Sequence, residues 1–340
     1  MENEKNKRKV KINTIPIYYL DKAISKGKRI ALRDSILIAG SPRSGTTWLM
    51  EIFENIPGYS YLFEPLQAHW FPSSIKVGFG QRPYRRPDEY WPECEEYLRK
   101  IFTGQIVSRK PPYGYNLNMT LNRLFSKKLI VKSIRLNRLL PWIANKFQLR
   151  NITFIIRHPC AVIASQIITG FGGYQNYYPF TNRFPTKEGL ITEASNIDIL
   201  DPNIIEKLKR IKTTEELLAV AWCLDNYVPL YYSDPQKWNM IIYEKLVTDG
   251  ETELRKLFTE IGESDSAEMA INQLKKPSML TLEKDPETVL STNIQLSKWK
   301  KKLSKDQIKR ILSIVEDFGL DFYTEENEPD YDNFKINKKK

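Results

Sequence analysis

Short, continuous apolar runs recur at wide intervals along the chain, and a stretch of helical periodicity follows each of them. Ser35 to Gly40 (SILIAG) is the first. A turn-rich SPRSG comes next, and then Trp48, Leu49, Ile52, Phe53 and Ile56 repeat at the spacing of one helix face until Pro57-Gly58 stops the pattern. Leu129 to Ile134 (LIVKSI) precedes the helical LLPWIANKF, Ile152 to Ile156 (ITFII) precedes PCAVIASQII, and Asn239 to Tyr243 (NMIIY) comes shortly before the amphipathic ETELRKLFTEIG. Runs that are apolar at every position suit strands covered on both faces, and their alternation with helices predicts an α/β fold with a mostly parallel, doubly wound sheet. Tyr59 to Phe63 (YSYLF) reads as one more strand, beside the loop that follows Gly40. Two segments break the alternation: His69 to Pro92, dense in proline and aromatics, and Thr169 to Pro185, rich in glycine, tyrosine and asparagine. Both read as long loops, which carry specificity when they lie over strand ends, or else as ordinary ordered coil.

No internal repeat, heptad array or low-complexity linker interrupts the 340 residues. The expected organisation is a basic, partly ordered extension over residues 1–30, one domain over 31–325 and a charged tail over 326–340. An apolar share of 41%, with 12% aromatic, suffices for a substantial core. Cys94, Cys160 and Cys223 are too few and too dispersed for a disulfide framework, which favours a reducing compartment. With only His69 and His158, a multi-histidine metal centre is excluded unless carboxylates supply most of its ligands, and a serine-histidine-acid triad has two places to find its base. No apolar run reaches the ~18 residues of a membrane span, and the charged MENEKNKRKVK start lacks a signal peptide's apolar segment. The expected location is cytoplasmic, with peripheral membrane contact open. Fifty-two Lys and Arg against 41 Asp and Glu give a net charge of +11, which favours an anionic ligand; lysine-rich solubility is the alternative.

The most informative segment is Gly40-Ser-Pro-Arg-Ser-Gly45-Thr46-Thr47. It delivers a strand into a helix, so that backbone N–H groups and the positive helix end converge on one spot suited to an oxyanion. The spacing of its glycines matches a nucleotide triphosphate loop, yet Thr46 stands where that loop carries lysine, and the nearby cation is Arg43 inside the loop. Triphosphate chemistry would lack two of its charge-neutralising parts, the lysine and a magnesium-holding acid after a following strand.

SPRSGTTWL resembles the 5′-phosphosulfate loop of the sulfotransferases that use 3′-phosphoadenosine 5′-phosphosulfate (PAPS). In ITFIIRHPCAVIAS, a buried strand ends at Arg157, proline opens a helix and Ser165 follows two turns on, which is similar to that family's 3′-phosphate motif. NMIIYEKL resembles the family's tyrosine-acid segment, and SKWKKKLS with the helical stretch ending in EDFG resembles its closing region. The likeness covers about half the chain, leaving the two loop-rich regions aside. SPRSG, RHPCAV and Phe63-Glu64-Pro65 are closer to the carbohydrate-modifying branch than to the branch acting on phenols and steroids. Ile134 stands where that second branch has histidine after VKS. Its Arg-Lys-Gly triplet is absent, and Lys298 and Lys300 around Trp299 are the nearest cations.

The resemblance implies a P-loop-type three-layer sandwich with loop and helix insertions, and an enzyme that moves a sulfonate group from PAPS to a hydroxyl, or less readily an amine, of a carbohydrate or glycolipid. PAP is the expected product, and neither a metal nor a nucleic-acid partner is implied. Donor contacts are expected from Arg43, Ser44, Gly45, Thr46, Thr47, Trp48, Arg157, Ser165, Tyr243, Lys298 and Trp299. Trp48 either packs on adenine or anchors its helix. Glu64 is the candidate base, with ion pairing to a neighbouring arginine as its alternative, and His69 is the second candidate. Lys132 either neutralises the bridging oxygen of the leaving group or is an edge-exposed or ion-paired lysine. His158 reads as a helix cap. Basic pairs such as Arg85-Arg86 and Arg109-Lys110 suit an already acidic glycan or a solvated surface. A small-molecule kinase and a non-catalytic polyanion-binding protein are the competing functions.

Overall fold

The computed structural model describes residues 15–109, 117–170, 184–232, 237–274, 276 and 292–334. Five strands form its sheet: β1 (Ser35–Gly40), β2 (Tyr59–Phe63), β3 (Lys128–Ser133), β4 (Asn151–Ile156) and β5 (Asn239–Ile242). Every neighbouring pair is parallel, in the spatial order β2-β3-β1-β4-β5. The helices up to residue 274 are α1 (Ile15–Gly27), α2 (Thr46–Glu54), α3 (Ser73–Lys76), α4 (Pro92–Phe102), α5 (Leu117–Phe125), α6 (Leu140–Lys146), α7 (Pro159–Thr169), α8 (Lys187–Ser195), α9 (Pro202–Leu208), α10 (Thr214–Tyr231), α11 (Tyr243–Thr248), α12 (Gly250–Glu260) and α13 (Ala267–Leu274). Helices at Thr292–Ser297 and Lys305–Asp317 follow. Parallel pairing requires a crossover, and at least one helix lies between each pair of consecutive strands.

Strand alternation divides the core into two layers around the sheet. Leu37, Ala39, Val131, Phe154 and Ile156 face a cluster with Leu98 of α4, Trp142 of α6, Val162 of α7, Trp222 of α10 and Ile311 near the C-terminus. Ile36, Ile38, Ile130 and Ile155 face Leu49 and Phe53 of α2 and Phe258 of α12. The result is the three-layer α/β sandwich with a parallel central sheet. β1 lies at its centre, with the chain passing to β3 on one side and to β4 on the other. The crevice outside its carboxyl end is where ligands bind in such sheets.

The strand expectations hold to within about one residue at each end, with one correction of position. YSYLF is indeed a strand, but β3 separates it from β1, because the long excursion from residue 64 to 127 returns to pair on the inner side of β2. Helix α10 went unread for a physical reason. Leu218, Ala219, Val220, Ala221, Trp222, Cys223 and Leu224 are all buried, so no polar face breaks the run into a period. Of the two loop regions, His69 to Pro92 is irregular apart from the single turn of α3 and its last residue, which opens α4. Residues 171–183 of the second region lie outside the described residues, as do Lys110, the first 14 residues and the last six.

Candidate active site at the carboxyl rim of the sheet

The loop after β1 is shaped by what cannot fit there. A Cβ on Gly40 would stand 2.5 Å from the Ile155 carbonyl oxygen, and one on Gly45 would stand 2.7 Å from Cδ2 of Tyr243. Gly45 also has φ of 100° and Arg43 has φ of 72°, so the loop turns through the left-handed region twice before α2 begins. No side chain caps α2, which leaves the N–H groups of its first turn directed at the rim. Thr46 and Thr47 lie buried in that turn. The Ser44 hydroxyl donates to the Ser41 carbonyl at 2.7 Å and so braces the loop.

The two expected phosphate motifs meet. Arg43 Nε donates to Ser165 Oγ of α7 at 2.9 Å, and Arg157 Nη1 donates to the Arg43 carbonyl at 3.2 Å. Arg157 stacks over the Tyr243 ring, 4.0 Å from its centroid, and Trp48 tilts against the same ring at 5.7 Å. Gln295 Nε2 donates to the Tyr243 hydroxyl at 2.7 Å. Burial, and then the charge of Arg157, lower the Arg43 pKa from its usual value. Arg157 Nε is buried with no hydrogen-bond partner among the described residues. Two guanidinium groups held together at a helix N-terminus, one with an unused donor, suit a multiply charged anion. Trp299 is buried and stacks on His158 at 4.6 Å, while Lys298 beside it is half-buried.

At the neighbouring rim, Glu64 (φ 48°) leaves β2 and turns its carboxylate back over β3. Lys132 Nζ donates to Glu64 Oε1 at 2.6 Å, the Ile134 N–H reaches both carboxylate oxygens at 3.1 and 3.2 Å, and Arg135 lies 3.7 Å away. Both Glu64 and Lys132 are buried. Burial lowers the Lys132 pKa; Glu64 opposes that shift, while Arg135 and Arg43 add to it. Glu64 therefore has the ion pairing raised as its alternative, although the first partner is a lysine. Lys132 has its ion pair and also lies within electrostatic range of the Arg43 loop. His69 is exposed on the turn that follows, and no hydrogen bond or ion pair among the described residues joins it to the Glu64 group.

One polar group here was not read from the sequence, and two that were read have partners the sequence did not show. Arg135 is a cation two residues beyond a strand end, a signal that could have been used. Glu244 directly follows Tyr243; its carboxylate accepts from the His158 N–H at 2.9 Å and from the Tyr323 hydroxyl at 3.0 Å. Burial, above all, pushes its pKa up to about 7. His158 caps α7 as expected: its Nδ1 accepts from the Cys160 N–H at 3.1 Å, which leaves Nε2 to donate to the Thr324 carbonyl at 2.9 Å. Burial holds the ring neutral, with its pKa down at about 3.

Fold and rim together define an α/β protein with a cationic cradle at the topological switch point of a parallel sheet. Among solved structures, the chain is similar to mouse sulfotransferase SULT7A1 complexed with PAP, at 16% identity over 87% of this chain and 88% of that one, TM-score 0.40. It is also similar to the sulfotransferase domain of the Synechococcus PCC 7002 olefin synthase, at 17% identity over 85% and 96%, TM-score 0.42. A third is the sulfotransferase domain of the curacin biosynthetic pathway, at 17% identity over 84% and 98%, TM-score 0.40. No protein-family model and no curated protein matches the chain.

Proposed function

We propose that the chain is a PAPS-dependent sulfotransferase acting on a hydroxyl of a carbohydrate or glycoconjugate. The observation that carries this reading is the meeting of Arg43, Ser165 and Arg157 at the uncapped start of α2, because it joins the two motifs that resemble the family's separate phosphate sites. The buried, unused Nε of half-buried Arg157 fits a phosphate that would complete it. The donor supplies an activated sulfonate: the acceptor oxygen bonds to sulfur as the bond from sulfur to the 5′-phosphate oxygen breaks. Arg43 and the first-turn N–H groups of α2 stabilise the charge that develops on that phosphate. Trp48 and Tyr243 offer aromatic faces beside it. Lys132 orients Glu64 and adds positive charge at the rim, and Glu64 takes the acceptor proton.

Calorimetric titration with PAP tests the donor site. Arg43→Ala and Arg157→Ala should each weaken binding by about 10- to 100-fold, the loss of a charge-assisted hydrogen bond. Absence of heat with the folded parent, or variants binding as tightly as the parent, overturns the assignment. With labelled PAPS and extracted glycans, Glu64→Gln should lower transfer by about 10²- to 10⁴-fold. Substantial residual transfer by that variant removes Glu64 and turns attention to His69.

A further inference from the structure

Helix α5 packs in the reverse of the usual globular sense against α1 and the sheet edge. Helix α5 buries Thr120 and half-buries Arg123, while Leu117, Leu121, Leu124 and Phe125 point outward at 50%, 37%, 45% and 76% exposure. Those positions form one stripe on a helix. Helix α1 buries Asp21 and Ser25, half-buries Ile17, Tyr18 and Ile24, and exposes Tyr19 and Leu20, at 61% and 41%. Polar groups hold the pair together. Arg123 lies 3.3 Å from Asp21, Ser25 Oγ donates to the Asp21 carbonyl at 2.8 Å, and Lys28 Nζ donates to the carbonyls of Leu124 and Ser126. Six of the 13 large apolar side chains exposed among the described residues stand on these two helices, and four of the six share the α5 stripe.

Apart from Asp21, the charged side chains carried by these two segments are basic, and Glu263 meets them only at Lys128, at the far end of the second. Lys22, Lys26, Arg29 and Lys127 are exposed, and Asp21, already paired with Arg123, is the one acid in residues 15–29 and 117–128. Helix α5 also lies along the sheet edge: Asn122 Nδ2 donates to the Tyr59 carbonyl at 3.2 Å and Ser126 Oγ to Ser60 Oγ at 2.8 Å. Its cover over β2 blocks a second copy from extending the sheet there. We propose that the α1–α5 face docks on an anionic lipid bilayer. Leucines, Phe125 and Tyr19 enter the boundary between headgroups and acyl chains, and the lysines and Arg29 meet lipid phosphates. Among the described residues no helix is long and apolar enough to cross a membrane, so the contact is with the surface.

Flotation of the full chain with phosphatidylcholine vesicles, with and without phosphatidylglycerol, tests this surface. The parent should float with the anionic vesicles only, and added salt should weaken the association. The double variant Leu121→Ser, Phe125→Ser should lower partition at least about tenfold, since it removes two insertable side chains. Neutralising Lys22 and Lys26 as glutamine should cost about fivefold per residue. These side chains are exposed, so each variant should keep the parent melting temperature and PAP affinity. A Phe125→Trp variant should shift its fluorescence to the blue on mixing with anionic vesicles. A parent that stays unbound overturns the proposal, as does a Leu121→Ser, Phe125→Ser variant that floats like the parent. A parent dimer that the same double variant returns to monomer assigns the face to a second copy and also overturns it. PAP binding is measured separately, so this surface and the nucleotide reading can fail independently.

Discussion

Gly45 is the residue on which the cradle is most closely built. It needs a positive φ, and its missing side chain admits Tyr243, whose ring is fixed by Arg157 on one face and by Gln295 at the hydroxyl. Gly45→Ala should therefore add left-handed strain, about 1–2 kcal/mol, to an overpacking cost of about 1–3 kcal/mol. Urea unfolding should report a loss of about 2–5 kcal/mol; a loss under about 0.5 kcal/mol would mean that Tyr243 swings aside freely. The residue types of this cradle were legible in the sequence, because a strand, a glycine-bounded loop and a helix are contiguous. Its closure was not. Arg43 and Ser165 are 122 residues apart, and only the sheet order brings their two strands together.

At the scale of elements, α10 is the main piece that periodicity missed, and it also holds the His69 to Pro92 loop in place. Its buried Asp225 binds Arg82 of that loop at 2.9 Å and Arg138, from the single helical turn after β3, at 3.0 Å. Burial raises the Asp225 pKa while both arginines lower it. One carboxylate thus ties three segments through groups that carry charge out of water. Asp225→Asn keeps the shape but leaves two buried guanidinium groups short of a counter-charge, with Glu193 still 2.8 Å from Arg138. The expected cost is about 3–5 kcal/mol in denaturant unfolding, and a cost below about 1 kcal/mol would remove the ion group as the anchor of the loop. Local sequence could show that the loop existed and was rich in arginine. Nothing local could show which carboxylate would receive Arg82, since strands read well from contiguous apolar runs whereas buried ion pairs depend on topology.

At the scale of the whole molecule, the C-terminal segment closes onto the sheet through two titratable groups with opposite shifts. Glu244, in the first turn of α11, holds the His158 N–H and the Tyr323 hydroxyl; His158, after β4, holds the Thr324 carbonyl and stacks on Trp299. Arg157 faces both groups, and Lys300 acts on His158 as well. Folding raises the Glu244 pKa from 4.5 to about 7, so its stabilising share is full below 4.5 and is lost as pH rises through about 7. Folding lowers the His158 pKa from 6.5 to about 3, so its share is full above 6.5 and is lost as pH falls toward about 3. Between 4.5 and 6.5 the native chain keeps a proton on Glu244 that the unfolded chain has released, and lacks one on His158 that the unfolded chain holds. The two proton counts cancel, and the pair contributes almost no slope to stability across that window. Glu244→Gln should uncover the histidine alone: unfolding free energy should climb with pH through the window at up to about 1.4 kcal/mol per unit relative to the parent. His158→Asn should uncover the glutamate, with stability falling from pH 4.5 toward 7. Denaturant titrations of the three proteins across the window decide the matter. A Glu244→Gln curve parallel to the parent's would show that Glu244 is ionised in the native fold and that the cancellation does not operate.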